Sequence, residues 1–203
     1  MPFKKLHADI QEKLTSLEIV SPTPFQNKAI PVIKSGANVF CNGPKDIGKT
    51  TTLILTTLQK LKCIAEGNAP RAIVLVKNKE KAVELYDLFL KYTKHNSLRV
   101  YLSHEDLHID LLKSEIFEGL DILISTPSVL NKLLLSNGLS VSQLKIFSID
   151  DAEFLTGNTP YTALLSITRG IKKCQYVLYS ETMHPKLKRF ETSFMEYAKK
   201  ISV

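Results

Sequence analysis

Gly43-Pro44-Lys45-Asp46-Ile47-Gly48-Lys49-Thr50 has the form G-x-x-x-x-G-K-[ST]. An apolar run, Ala37 to Cys41, precedes it, and a Thr/Leu-rich segment that reads as a helix, Thr50 to Lys62, follows it. Strand, glycine-punctuated loop and helix is the context in which this pattern cradles a phosphate. Backbone N–H groups of the loop converge on an anion, and the helix N-terminus adds partial positive charge. In that role Lys49 reaches the β- and γ-phosphates of a nucleotide and Thr50 holds Mg²⁺.

Outward from this loop, short apolar runs alternate with amphipathic segments. Upstream, Leu6, Ile10, Leu14 and Leu17 recur at helical spacing, Ser21-Pro22-Thr23-Pro24 breaks the chain, and a second helix runs from Pro24 to about Gly36 with Phe25, Ala29 and Val32 inward. Downstream, strands are expected at Ala72–Val76, Leu98–Leu102, Asp121–Ser125, Leu144–Ile149 and Gln175–Tyr179, with a further one beginning near Lys200. Helices are expected between them at Lys79–Tyr92, Ile109–Phe117, Pro127–Leu135 and Tyr161–Ile171, and after them at Pro185–Tyr197. The alternation implies one domain with a mainly parallel sheet covered on both faces, whose ligands bind at the carboxyl ends of the strands.

Composition is that of a globular domain, 44% hydrophobic and 23% charged, long enough to bury one core. The net charge of +7 is compatible with a polyanionic partner, and equally with solvated lysines. Cys41, Cys63 and Cys174 lie far apart with no metal spacing; Cys41 and Cys174 fall in or beside apolar runs and read as small buried thiols in a reducing, cytoplasmic setting. The N-terminus does not read as a signal peptide, and no stretch approaches the ~18 apolar residues of a membrane span.

Four motifs, the phosphate loop among them, carry a resemblance. Ser21-Pro22-Thr23-Pro24-Phe25-Gln26-Asn27-Lys28-Ala29-Ile30-Pro31, the phosphate loop, Ser148-Ile149-Asp150-Asp151-Ala152-Glu153 and Ser180-Glu181-Thr182 occur in that order. Together they resemble the first RecA-like domain of DEAD-box RNA helicases over nearly the whole chain. The resemblance implies a three-layer α/β/α RecA-like P-loop NTPase domain, with a Q-motif region over residues 1–36 and a core over 37–203. It implies ATP and Mg²⁺ as cofactors, a single-stranded RNA backbone as partner, a second RecA-like domain downstream, and a monomer. By the resemblance Gln26 reads adenine, Phe3 stacks on it, and Gly43, Pro44, Lys45, Asp46, Ile47, Gly48, Lys49 and Thr50 hold the phosphates. Asp150 holds Mg²⁺ with Thr50, and Asp151 positions the attacking water. Ser180 and Thr182 couple nucleotide to RNA, which Lys79 and Thr126 contact.

Several positions depart from the family pattern. Asp46 stands where the loop has a glycine, and its carboxylate at about 6 Å from a phosphate costs at most on the order of 2–3 kcal/mol per interacting charge; neighbouring Lys45 is expected to offset part of that. Asp151 is one methylene shorter than the glutamate of the pattern, Glu153 replaces the final aspartate, and Glu181 replaces a small alanine, so it is expected to turn to solvent or to a lysine. On the RNA side Lys79 takes an arginine's place, Ser103-His104-Glu105-Asp106 replaces a glycine pair, and Thr126-Pro127-Ser128-Val129 keeps only the first two residues of T-P-G-R. Three readings follow: an ATP-dependent RNA helicase domain whose hydrolysis needs the second domain, a degenerate RNA-binding or scaffold module, and a P-loop ATPase unrelated to RNA, against which the Q-motif match argues.

Overall fold

Within each strand, successive residues point to opposite faces, and here both faces are apolar. Val39 and Cys41 enter one core while Phe40 enters the other; Ala72 and Val74 oppose Ile73 and Leu75; Val177 and Tyr179 oppose Tyr176 and Leu178. Such strands are stable only between two helical layers. The computed structural model describes residues 2–203 and shows that arrangement. Its sheet has seven strands, all parallel: β1 (Val39–Asn42), β2 (Ala72–Leu75), β3 (Val100–Ser103), β4 (Ile122–Ser125), β5 (Ile146–Ile149), β6 (Gln175–Ser180) and β7 (Lys199–Ser202), in the order β3-β4-β2-β5-β6-β1-β7.

Helices α1 (Ala8–Ser16), α2 (Pro24–Lys34), α3 (Lys49–Leu61) and α4 (Lys79–Thr93) contribute to one core. Helices α5 (Ile109–Glu118), α6 (Pro127–Leu135), α7 (Asn158–Arg169) and α8 (Pro185–Lys188) contribute to the other. Local chemistry sets their starts: Thr23 and Gln26 form a capping box ahead of Pro24, Asn78 accepts the Lys81 N–H at 3.2 Å, and Pro127 opens α6. Burial pushes the Cys41, Cys63 and Cys174 thiols up, which keeps them protonated. No helix among the described residues is long and apolar enough to cross a membrane.

One expected helix fails. The apolar period predicts a continuous helix over Pro185–Tyr197, but α8 ends at Lys188, a 3₁₀ turn covers Arg189–Thr192, and Ser193 leaves helical backbone at φ −129°, ψ −89°. The hydroxyls of Thr192 and Ser193 donate to the carbonyls of Arg189 and Phe190 at 2.8 and 3.2 Å, which competes with helix propagation. The break lets Phe190 and Phe194 approach each other at 4.9 Å between ring centroids, against Tyr161 and Tyr176 respectively.

At the amino ends of the strands lies a buried ionic network. Asp121, before β4, is fully buried; its Oδ1 accepts from Arg71 Nη2 at 2.6 Å and from the Glu66 N–H at 3.0 Å, and its Oδ2 accepts from Arg99 Nε and N–H, both at 3.0 Å. Arg71 precedes β2 and Arg99 precedes β3, so one carboxylate aligns three strands at the end of the sheet opposite the phosphate loop.

Candidate nucleotide site

The phosphate loop leaves β1 and enters α3 through two left-handed residues, Asp46 at φ +60° and Gly48 at φ +95°. Asp is among the residues that tolerate this backbone, which accounts for its presence at a position that favours glycine. Gly43 has a different reason: a Cβ there would collide with Ile47 Cδ1, so the Ile47 side chain takes the space that a larger residue at 43 would need. Lys49 opens α3 and is buried; its ammonium donates to the carbonyls of Gly43 at 2.6 Å and Pro44 at 2.7 Å. An ammonium has three donors, so one remains free of the loop.

The segment before α2 is tied to this loop. Thr23 Oγ1 donates to the Ile47 carbonyl at 2.7 Å, and Gln26 Nε2 lies 3.4 Å from the Gly48 carbonyl while its Oε1 accepts the Thr23 N–H at 3.0 Å. The Gln26 amide therefore stands beside the phosphate loop, 22 residues away in sequence, and retains a donor and an acceptor. Phe3 lies in the N-terminal segment ahead of this tie. It lies in a 3₁₀ turn and is 7% exposed, in the core cluster that holds Leu6, Ile10 and Phe25. The ring packs into that cluster, and Phe3 also lines a small surface cavity with Lys4, Gln11 and Ile19.

Across the sheet, β6 lies between β1 and β5, so their carboxyl ends converge. Asp150, just past β5, is 6% exposed, and its Oδ1 has no hydrogen-bond partner. Burial pushes its carboxyl up, the Asp151 carboxylate adds to that, and Lys81 and Lys49 pull the other way; the balance is pushed up to about 7. A buried, unpartnered carboxylate oxygen within the field of the loop lysine fits a hard divalent cation that takes oxygen ligands, with the Thr50 hydroxyl in the first turn of α3 as the second protein donor. Asp151 has a left-handed backbone at φ +45° and lies half-exposed, 4.0 Å from Lys81 Nζ.

The substituted carboxylates after β5 and β6 find definite places. Glu153 accepts the Glu181 N–H, so the longer side chain links the segment after β5 to the segment after β6. The exposed Glu181 side chain faces solvent and lies 3.7 Å from the Lys45 ammonium. Lys45 is thereby turned toward Glu181, contrary to the expectation that it serves Asp46. Ser180 is fully buried and bonds backward: its hydroxyl accepts from Asn42 Nδ2, and its carbonyl accepts the Gly43 N–H at 3.2 Å. Thr182 is exposed beyond the strand.

The two residues expected on the RNA side are both engaged by acids. Lys79 donates to Asp106 Oδ2 at 2.6 Å, and the buried Thr126 donates to Glu105 Oε1 at 2.6 Å. In the sequence Glu105 and Asp106 stand out only as replacing a glycine pair, and nothing in linear order shows that they meet Lys79 and Thr126. Asn42 is marked by no motif, and Lys81 draws no role from its place two residues after Lys79. A third grouping, His7, Asp9 and Cys63, places three potential ligand atoms within 4.8 Å of one another, across a sequence gap that spacing does not reveal.

A family model described as DEAD/DEAH box helicase matches residues 23–190. Among curated relatives, the chain is 33% identical over 155 residues to "ATP-dependent RNA helicase DBP9" of Cryptococcus neoformans, covering 70% of this chain and 24% of that protein. It is 24% identical over 206 residues to "DEAD-box ATP-dependent RNA helicase CshA" of Streptococcus pneumoniae, covering 100% of this chain and 39% of that protein. It is 24% identical over 196 residues to "Probable ATP-dependent RNA helicase ddx42" of Dictyostelium discoideum, covering 95% and 20%. The chain thus spans between about a fifth and two-fifths of the length of these relatives. Among solved structures, a DEAD box protein from the hyperthermophile Methanococcus jannaschii superposes with a TM-score of 0.89 at 19% identity, over 97% of this chain and 54% of that one, which establishes the RecA-like fold. With the phosphate loop, the carboxylate pair after β5 and the Thr23–Gln26 tie all gathered at one sheet edge, and with the family model matching most of its length, the chain belongs to the DEAD/DEAH box helicase family.

Proposed function

We propose that residues 1–203 form a single domain, the ATP-binding N-terminal RecA-like domain of an ATP-dependent RNA helicase. The observation that carries this is Asp150: a nearly buried carboxylate with an unpartnered oxygen, at the strand end beside the phosphate loop and within the field of Lys49. In this reading Gln26 presents its remaining donor and acceptor to adenine, the 43–50 loop and Lys49 hold the phosphates, and Thr50 and Asp150 hold the metal. Asp151 orients the attacking water, while Ser180 and Thr182 relay nucleotide state toward Lys79 and Thr126 on the RNA face. Bound Mg·ATP would supply the transferable phosphoryl group and neutralise its charge. The Glu153–Glu181 bond gives the relay a physical route, because any shift of the segment after β5 acts on the segment after β6. Hydrolysis requires groups from a second RecA-like domain, so the chain alone turns over slowly or not at all. The relatives' names speak for a helicase rather than for a degenerate scaffold.

The test is a fluorescence titration with an N-methylanthraniloyl ATP and Mg²⁺. The chain is expected to bind, and Lys49→Ala to weaken binding by roughly tenfold or more, as loss of a charge-assisted contact to phosphate implies. Absence of binding by the unaltered chain overturns the reading.

A further inference from the structure

The turn between β3 and α5 holds two adjacent carboxylates against two other elements. Glu105 Oε1 accepts from the Thr126 hydroxyl at 2.6 Å and from the Ser128 hydroxyl at 2.5 Å. Thr126 is the N-cap of α6 and Ser128 lies in its first turn, so the carboxylate sits at the positive end of a nine-residue helix. Asp106 meanwhile takes the Lys79 ammonium, which lies at the first residue of α4. His104 sets the turn: its carbonyl accepts the Leu107 N–H at 3.1 Å and its Nδ1 lies 3.3 Å from the Asp106 N. Burial pushes the Glu105 carboxyl up, but the hydroxyls of Ser128 and Thr126 outweigh it and hold the group below the usual carboxylate range, as expected of an anion with dedicated donors.

Two hydroxyls, a helix N-terminus and a lysine are the groups proteins use to hold a nucleic-acid backbone. In this chain the same groups already hold an anion of their own.

We infer that Glu105 and Asp106 act as an internal stand-in for two backbone phosphates, closing the face that carries Lys79, Thr126 and Ser128, so that single-stranded RNA binds only by displacing them. This rests on the RNA-binding reading above and adds what sets the affinity. Both side chains are exposed, so they can swing away by rotation while His104 stays buried and Leu107 stays packed against the core. While in place they repel an incoming phosphate and occupy its donors.

The experiment measures fluorescence anisotropy of a fluorescein-labelled decauridylate, with and without Mg·ATP, across a series of salt concentrations. It compares the unaltered chain, Glu105→Gln/Asp106→Asn, and the charge-matched control Glu115→Gln/Glu118→Gln on the exposed side of α5. The first variant is expected to bind roughly tenfold more tightly than the unaltered chain, the scale set by removing like charge at close range. Its plot of log affinity against log salt is expected to steepen by about 0.7 for each additional RNA phosphate that the protein neutralises. The control is expected to stay near the unaltered chain. Equal, measurable affinity of all three overturns the inference and leaves the RNA-binding reading standing. An equal rise in affinity in both variants overturns it too, since net charge alone would then account for the effect. If no form binds at low salt, the RNA-binding reading itself fails and takes the inference with it.

Discussion

Replacing Asp121 with Asn removes one negative charge from the most enclosed ionic cluster in the molecule. Arg71 is 2% exposed and Asp121 fully buried, so the guanidinium cannot turn to water when its partner is neutralised. The carboxamide would also direct an NH₂ group at one of the two arginines, since Oδ1 faces Arg71 and Oδ2 faces Arg99. Breaking a buried pair from one side costs about 3–5 kcal/mol, much of it the cost of an uncompensated buried charge. Glu66 still reaches Arg71 at 3.0 Å, but from an exposed position that compensates little. For a chain of this size a loss of about 4 kcal/mol lowers Tm by roughly 10 °C.

The pH dependence gives an independent check. Burial pushes the Asp121 carboxyl up, but hydrogen bonds from Arg99, the Glu66 N–H and Arg71 outweigh it and leave it below its ordinary value. A folded-state value below the unfolded one means that this group's contribution is present above the ordinary carboxylate range and is lost as pH falls through the folded value. Urea unfolding of both proteins from neutral to acid pH should therefore show a large gap at neutrality that narrows as the medium is acidified. A cost under about 1 kcal/mol at neutral pH, or a gap that stays constant down to the acid limb, would refute the assignment of Asp121 as the charge that aligns β2, β3 and β4.

Asp46→Gly should raise affinity for Mg·ATP by on the order of tenfold, because it removes a like charge near the phosphates while keeping the left-handed backbone; an unchanged or weaker Kd by titration calorimetry would show that the carboxylate does not face the nucleotide. Thr23→Ala removes both the cap of α2 and the bond to the Ile47 carbonyl, and should cost about 1–2 kcal/mol in urea unfolding while speeding amide exchange within the 43–50 loop; unaltered loop exchange would sever the proposed tie between the two segments.

Linear order carried most of the architecture. Every strand expected from an apolar run is present with its bounds moved by only one or two residues, because strands buried on both faces cannot be written any other way. Caps and loop chemistry likewise act within a few residues, so the starts of α2, α3 and α6 are legible at Thr23-Pro24, Gly48-Lys49 and Thr126-Pro127. Where competing local preferences are close, as at Thr192 and Ser193, the period alone misleads, and core packing of Phe190 and Phe194 decides the outcome.

Site residues divide along the same line. Asp46 is readable as a left-handed position because backbone preference is a property of the residue itself. Glu181 is expected from its charge to seek solvent or a lysine, but that the lysine is Lys45, and that Asp46 loses it, depends on which loops share a sheet edge. The burial of Phe3, the free oxygen of Asp150 and the capture of Thr126 by Glu105 are likewise products of assembly. Phosphate loop, strand pattern and caps belong to the sequence, since their physics spans a few bonds. The pairing of groups distant in sequence, Arg71 with Asp121, Thr126 with Glu105 and Lys45 with Glu181, belongs to the tertiary structure, since only strand order brings them within reach of one another.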